Sequence, residues 1–181
     1  MMDVLDRVSR VIRNEAHGGG LNPVQWEALR YLDRANRFSR SPGALTTYLG
    51  ATKGTVSQTL LALERKGLVS RSRDPADKRA VRIDLTASGQ AKLAEDPLRA
   101  LEAAVDALPA DQRQRLDTDL RALLHQMLAA RGGRPFGVCH TCRFFQRSHP
   151  EGQPHRCGLL KVALSADDSA RICVEHTPAG E

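Results

Sequence analysis

The sequence has few aromatic residues and no long apolar run. Aromatics make up 4% of its 181 residues, so a core has to be built mainly from Leu, Ala and Val. No apolar stretch approaches the roughly 18 residues that a membrane span needs. The amphipathic N-terminus carries Asp3 and Asp6 and does not resemble a secretory signal. The chain is therefore expected to be a soluble, cytoplasmic protein that makes no contact with membranes.

Motifs of enzymatic chemistry are also missing. The sequence contains no Gly-x-Ser-x-Gly elbow, phosphate-binding loop or paired carboxylates, so we expect no enzyme. It does contain an excess of positive charge, with 27 basic and 21 acidic residues. Residues 1–134 hold 22 of the bases and 16 of the acids, whereas residues 135–181 hold five of each. The excess suits a polyanion such as DNA, although charge alone does not distinguish this from ordinary surface charge.

Three helix starts follow one another in the first half of the chain. Asn22-Pro23 begins a helix predicted to run to about Phe38, Ser41-Pro42 begins a short one, and Thr52 caps a third that ends near Gly67. Gln25, three residues after Asn22, can close a capping box. Two residues separate the second and third of these helices, and this spacing is typical of a helix-turn-helix.

A β-hairpin and flanking helices complete the predicted fold. Residues 69–73 and 79–85 have the character of strands, and residues 2–14 and 110–130 are amphipathic at helical spacing. Thr86 begins a helix that Pro97 interrupts. The last helix is expected to bury five side chains: Leu116, Leu120, Leu123, Leu124 and Met127. These elements predict a mainly α protein with a small β-hairpin wing.

The helix that begins at Thr52 has the pattern of a DNA-reading helix. Val56, Leu60 and Leu63 fall on one face and are expected in the core. The opposite face carries small or hydrogen-bonding residues at its N-terminal end, among them Thr55, Ser57 and Gln58. Gln58 suits the edge of an adenine, and Lys53 with the helix N-terminus suits a phosphate. A solvated polar face is the alternative interpretation.

The hairpin turn is strongly basic. Four cations surround Asp74-Pro75-Ala76-Asp77, namely Arg71, Arg73, Lys78 and Arg79. A protruding basic loop beside a reading helix can place an arginine in the minor groove, and Asp77 can orient that arginine. An exposed charged turn without function is the alternative. The predicted DNA-contacting residues are Lys53, Thr55, Ser57, Gln58, Arg71, Arg73, Lys78 and Arg79.

Several stretches resemble the MarR family of winged-helix regulators. They begin at Asn22-Pro-Val-Gln-Trp, Thr52-Lys-Gly-Thr-Val-Ser-Gln and Arg73-Asp-Pro-Ala-Asp-Lys-Arg, and the last ends in Leu85-Thr-Ala-Ser-Gly. The resemblance covers roughly residues 2–130. It implies a homodimer joined by its first and last helices and a regulator that binds a pseudo-palindromic site in double-stranded DNA. It also implies that Thr55, Ser57 and Gln58 face the major groove and Arg79 the minor groove.

All four cysteines lie in the last 43 residues, in the pattern Cys139-x2-Cys142-x14-Cys157-x15-Cys173. We therefore predict a winged-helix domain over residues 1–131 and a small metal-stapled module over residues 135–181. Four thiols form a complete shell for zinc or an iron–sulfur cluster, and a module of this size needs such a staple.

The identity of the metal is less constrained by the pattern. Only one Cys-x-x-Cys knuckle is present, whereas a zinc ribbon usually has two, so the spacing favours an iron–sulfur cluster over zinc. His140, His155 and His176 are alternative ligands or hydrogen-bond donors. A cluster here suggests that its gain, loss or oxidation changes operator affinity.

Two other functions remain open. In one, the metal is a structural zinc and a small molecule is the effector. In the other, the chain is a thiol–disulfide redox protein that uses Cys139 and Cys142.

Overall fold

The computed structural model describes residues 1–15, 17–73, 81–148, 150 and 154–179. Its helices are α1 (Met2–Glu15), α2 (Pro23–Arg34), α3 (Pro42–Leu49), α4 (Lys53–Arg65), α5 (Ala87–Leu93), α6 (Arg99–Asp106), α7 (Ala110–Ala129) and α8 (Ala166–Ser169). Its strands are β1 (Val69–Arg73), β2 (Val81–Leu85), β3 (Gly137–Val138), β4 (Phe145–Gln146), β5 (His155–Cys157), β6 (Val162–Leu164) and β7 (Ile172–Cys173). The expected fold, mainly α with a small hairpin wing, is confirmed.

Side-chain caps set the starts of the three central helices. The Asn22 side chain accepts a hydrogen bond from the Gln25 amide at 2.9 Å, and the Gln25 side chain accepts one from the Asn22 amide at 3.2 Å. Ser41 caps α3 through the amide of Ala44, and Thr52 caps α4 through the amide of Thr55. These hydrogen bonds satisfy amides that lack partners within their own helices. The helix starts predicted at Asn22, Ser41 and Thr52 are therefore confirmed.

The main core lies between α2, α4 and the hairpin. Trp26, Leu29, Leu60, Leu63 and Ile83 are each at most 1% exposed. The core-facing side of α4 is thus the one that the sequence predicts. The indole of Trp26 also donates from Nε1 to the carbonyl of Gly18 at 2.9 Å, so its one polar atom is satisfied inside the core.

Strands β1 and β2 pair antiparallel, from Val69 opposite Leu85 to Arg73 opposite Val81. The described part of the second strand begins at Val81, and the turn residues 74–80 lie outside the described residues. After β2, Thr86 caps α5 through the amide of Gly89 at 3.0 Å. A Cβ at Gly89 would collide with the carbonyl oxygen of Leu68, so the exit from the wing requires glycine there.

The second helix ends earlier than the sequence predicts, at Arg34 rather than near Phe38. Ala35 has extended backbone and forms a parallel bridge with Ile172, and the amide of Asn36 donates to the Ile172 carbonyl at 2.9 Å. The cysteine module thus supplies backbone partners that replace the next helical hydrogen bonds. Residues 35–41 are called the α2–α3 turn below.

The outer helices α1, α6 and α7 bury no residue within the chain. The prediction that the apolar residues of α7 lie inside is wrong for the single chain, since Leu116, Leu120, Leu123, Leu124 and Met127 are between 37% and 53% exposed. Their spacing still places them on one side of a 20-residue helix. Among the described residues, no helix is long and apolar enough to cross a membrane.

The cysteine module is built from very short elements. β3 pairs with β7, and β4, β5 and β6 form a three-stranded antiparallel sheet. Its apolar cluster consists of Cys139, Leu164 and Cys173, with Phe38 of the α2–α3 turn packed against them. The module also packs Phe136, Ile172 and Val174 onto the winged-helix core. The small interior of the module is therefore completed by apolar residues of the winged-helix domain.

Candidate nucleic-acid interface and cysteine centre

The N-terminal half of α4 presents a polar surface to solvent. Lys53, Thr55, Ser57 and Gln58 are all exposed, whereas Val56 on the opposite side is buried. No carboxylate lies in the first turn of this helix, so its free amides and Lys53 form a locally positive end. The surface has the small and hydrogen-bonding character that close approach to base edges requires.

One of these residues also has a structural task. The Thr55 hydroxyl lies 2.9 Å from the hydroxyl of Thr52, the residue that caps the helix. Gln58 has a longer side chain one turn further along the exposed surface. We therefore expect Thr55 to stabilise the N-terminal cap of α4 and Gln58 to reach the edges of the DNA bases.

Strand β1 of the hairpin places its two arginines differently. Arg71 forms an ion pair from Nε to Glu64 of α4 at 3.1 Å, so it joins the wing to the reading helix. Arg73 is exposed at the end of β1. Lys78 and Arg79, together with the Asp77 expected to orient one of the arginines, lie outside the described residues. Their predicted contacts with DNA stay predictions.

A second ion pair fixes the base of the hairpin. Asp84 of β2 accepts hydrogen bonds from Arg40 at 3.0 Å and from Arg82 at 3.0 Å. Burial opposes ionisation of Asp84, but these hydrogen bonds outweigh it and hold the pKa of the carboxyl below its ordinary value. Arg40 belongs to the α2–α3 turn, so this turn and the wing share one carboxylate.

The four cysteines converge on one narrow apolar cavity. The cavity is lined by Cys139, Cys142, Cys157 and Cys173, although Cys139 and Cys173 are 34 positions apart in the sequence. The other lining residues are Phe144, Phe145, Leu159, Leu164 and Glu175. Cys139 and Cys173 are buried, whereas Cys142 and Cys157 are partly exposed. No disulfide joins these four described residues. Phe136 does not line this cavity and packs against Tyr31 and Tyr48.

The thiols are close but do not surround a point. In the described residues, no group of three or more His, Cys, Asp or Glu side chains has the arrangement that holds a single metal ion. A tetrahedral zinc with Zn–S bonds of about 2.3 Å would bring its sulfurs within about 4 Å of one another. The thiols converge on a shared cavity from three places, the turn of Cys139 and Cys142, strand β5 and strand β7, without adopting that compact arrangement.

Cys139 and Cys173 form a hydrogen-bonded pair. The hydrogen bond from the Cys139 thiol lowers the pKa of Cys173 to about 6, against the effect of burial, and the same contact raises the pKa of Cys139. Further donors to Cys173 are the Asn36 side chain, the backbone of Glu175 and the Ser39 hydroxyl. This environment stabilises one thiolate, the form in which sulfur binds metals.

The histidines of the module do not line this cavity in the described structure. His140 Nδ1 lies 3.1 Å from the carbonyl of Ser169, and His176 Nε2 lies 2.9 Å from the hydroxyl of Thr141. His155 Nδ1 accepts from the amide of Ser148 at 3.3 Å. Each of these rings has a hydrogen-bond partner outside the thiol cavity, so the cysteines are the better candidate metal ligands.

Two residues at the centre escape sequence analysis altogether. Asn36 donates from Nδ2 to the sulfur of Cys139 at 3.2 Å, and Ser39 accepts from the amide of Val174 at 2.9 Å. Both side chains are 0% exposed. They lie 100 or more positions from the nearest cysteine in the sequence, and Asn36 falls within the predicted continuation of α2. A polar Asn-x-x-Ser sequence directly after an amphipathic helix is the one signal that points to a turn there.

Comparison with known proteins agrees with this geometry. Residues 19–80, which span α2 to the start of the wing, match the MarR family. This region of the chain is therefore similar to the MarR family. A curated relative is the HTH-type transcriptional repressor YetL of Bacillus subtilis, 32% identical over 93 residues. The match covers 51% of this chain, and the chain spans only about half, 56%, of that relative.

Solved structures share the MarR-type fold. The transcriptional repressor CouR bound to a 23-mer DNA duplex superposes with a TM-score of 0.53 at 26% identity, over 66% of this chain and 89% of CouR. The Staphylococcus aureus MepR–DNA complex gives a TM-score of 0.55 at 23% identity, over 68% of this chain and 95% of MepR. The family match itself ends at residue 80, well before the first cysteine.

Proposed function

We propose that this chain is a sequence-specific DNA-binding transcriptional regulator. The observation that carries the proposal is the exposed polar end of α4, where Lys53 and Gln58 stand on a helix whose other side is fixed in the core. The excess positive charge of residues 1–134 supports it, as do the names of its relatives, a repressor and a repressor bound to DNA. Such a regulator acts in the compartment that holds the DNA, so a cytoplasmic location is part of the proposal.

A homodimer is part of this proposal. Two helices, α1 and α7, carry exposed apolar side chains, including Val8 at 44% exposed and Leu120 at 47%. A second copy related by a two-fold axis would bury both sets and place two copies of α4 one helical turn apart on a pseudo-palindromic site. Sedimentation equilibrium is expected to give the mass of a dimer.

A substitution at Gln58 tests the DNA-binding proposal. A duplex is first selected from a random library with the wild-type protein, and affinities are then measured by fluorescence anisotropy at fixed salt. Gln58→Ala should weaken binding to this duplex by about 1–3 kcal/mol and leave non-specific binding unchanged, because a base contact is lost and no phosphate contact is.

Gln114→Ala on the exposed surface of α7 is the matched control and should bind like the wild type. Equal affinities of the Gln58 and Gln114 variants for the selected duplex would contradict the assignment of α4 as the reading helix. Failure of the wild-type protein to enrich any duplex would contradict the function itself.

We further propose that the four cysteines hold an iron–sulfur cluster and that its state modulates operator affinity. Two observations support this. The thiols converge on one cavity with an apolar wall, which favours a thiolate-bound inorganic group. The sequence also contains a single Cys-x-x-Cys knuckle rather than the two of a zinc ribbon, and this spacing favours a cluster over one zinc ion.

Absorbance and metal analysis of protein purified without oxygen test the cluster. A brown protein that contains iron and acid-labile sulfide is the expected result. A colourless protein with one zinc per chain would contradict the cluster and leave a structural metal. A metal-free protein that turns over a disulfide substrate would instead support the thiol–disulfide alternative.

A cleft of about 440 Å³ favours a small-molecule effector as the second candidate function. It lies between α3, α7 and the start of the cysteine module, and its lining combines the apolar Tyr48, Leu124 and Phe136 with Arg34 and Arg121. This combination suits an organic anion with an apolar body. In this candidate function the metal is a structural zinc. It predicts that a small organic acid releases the protein from its operator and that oxidation has no effect on operator affinity.

A further inference from the structure

The α2–α3 turn of the winged-helix domain reaches into the cysteine centre. We propose that Asn36 and Ser39 are positioning residues for its sulfur ligands and that they transmit the state of the centre to the helix-turn-helix. This inference rests on the proposed metal centre and adds the route by which the centre affects DNA binding within one chain.

The first link in this route is the contact of the Asn36 and Ser39 side chains with the cysteine sulfurs. The Asn36 amide lies 3.2 Å from the Cys139 sulfur and also donates to Cys173, and Ser39 donates to Cys173. Donors at this range stabilise negative charge on sulfur and orient the thiolate, as outer hydrogen bonds do for other metal ligands. Both side chains are completely buried, so water cannot replace them. The sulfurs therefore depend on these two groups.

The Asn36 amide presents its donor to sulfur. In the described part of the chain its Nδ2 atom donates to Cys139 at 3.2 Å, while its buried Oδ1 atom accepts no hydrogen bond. This contact ties the Cys139 sulfur directly to the α2–α3 turn.

Backbone hydrogen bonds fix the turn on the same segment of the module. The amide of Asn36 donates to the Ile172 carbonyl at 2.9 Å, directly before Cys173. The amide of Val174, directly after Cys173, donates to the Ser39 hydroxyl at 2.9 Å. A displacement of the Cys173 backbone must therefore displace both ends of the turn.

The turn in turn supports the DNA-binding elements. The carbonyl of Ser39 accepts from the Tyr31 hydroxyl of α2 at 2.6 Å and from the amide of Ser41, the residue that caps α3. The carbonyl of Arg40 accepts from Ile83 of the wing at 2.8 Å. Within a few residues, the chain thus passes from the sulfur contacts to α3 and the hairpin. A change at the sulfurs has a short covalent route to the surface proposed to bind DNA.

Three variants of the full-length holoprotein test the proposal: Asn36→Ala, Ser39→Ala and the control Arg37→Ala. Arg37 is a fair control because it joins the same turn to Ala163 and Asp168 of the module without touching a sulfur. For each variant, metal loss to a chelator, the sulfur-to-metal charge-transfer spectrum and operator affinity before and after metal removal are measured. Melting curves identify any variant that fails to fold.

Asn36→Ala and Ser39→Ala are expected to lower metal affinity about 10–100-fold and to shift the charge-transfer bands. The ratio of operator affinities with and without metal should also fall towards one. Arg37→Ala should keep the wild-type spectrum and ratio. A wild-type spectrum and ratio in a folded Asn36 or Ser39 variant would overturn the proposal, as would equal changes in the Arg37 control. Ser39→Ala decides the matter if Asn36→Ala does not fold.

The outcome also separates this inference from the function on which it rests. A wild-type protein that retains no metal overturns both. A wild-type protein that binds metal, and whose operator affinity responds to metal removal while the variants behave like it, overturns only the role of the turn.

Discussion

The winged-helix core and the cysteine module are stabilised in different ways. The core buries Trp26, Leu29 and Leu60 almost completely, between helices long enough to have continuous apolar faces. Among the described residues, the module buries the apolar Cys139, Leu164 and Cys173 and the polar Asp168 and Ser169, in elements of two to four residues. Hydrophobic burial suffices for the first region, whereas the second has few apolar contacts and packs against the α2–α3 turn. The comparison shows how a small appendage can be ordered without a core of its own.

Removal of the proposed metal is expected to produce the largest difference between the two regions. If the thiols hold a metal, the apolar contacts of the module alone are expected to be too few to keep β5 and β6 ordered after its removal. Hydrogen exchange on chelated, reduced protein should show loss of protection in both strands and retained protection in α2 and α4. Unchanged protection of β5 and β6 would show that the module is stable on packing alone.

Trp26→Ala should have the next largest effect and act on the other region. The substitution removes a completely buried indole and its hydrogen bond to Gly18, at a cost of about 3–5 kcal/mol in the free energy of unfolding. Urea denaturation followed by circular dichroism gives the value. Leu159→Ala in the module is the control, since its side chain is 43% exposed and its loss should cost about 0.5 kcal/mol or less. A similar loss for both variants would contradict the distinction between the regions.

Asp84→Asn should have the smallest effect, about 1 kcal/mol, because its ion pairs with Arg40 and Arg82 are partly exposed. The folded-state pKa of Asp84 lies below its ordinary value of 3.8. Its contribution to stability is therefore complete above that value and is lost as the pH falls through the lower folded-state pKa. Urea denaturation at neutral pH and in acid should show the difference between variant and wild type shrinking below about pH 4.

The exposed pair of Asp106 and Arg113 provides the control for Asp84. Asp106→Asn should leave stability unchanged at either pH. A difference at Asp84 that persisted undiminished in acid would show that its effect is not electrostatic.

The elements of the winged helix are predictable because their signals are local. Asn22 with Gln25, and later Thr52 and Thr86, satisfy amides within three residues of themselves, so the sequence alone places these starts. The exposed side of α4 follows from helical periodicity in the same way. The end of α2 was predicted wrongly because its cause is distant: Ala35 and Asn36 leave the helix to bond Ile172. The apolar side of α7 was assigned to the interior because periodicity identifies an apolar face but not what covers it.

The sequence by itself determined the secondary structure of the winged helix, the polar face of α4 and the set of four candidate thiol ligands. Each of these follows from the chemistry of residues close together in the chain. Only the tertiary structure decided that the thiols meet in one cavity and that Asn36 and Ser39 contact their sulfurs. Contacts across more than 100 residues depend on how complete elements pack, and no local pattern of charge or hydrophobicity encodes them.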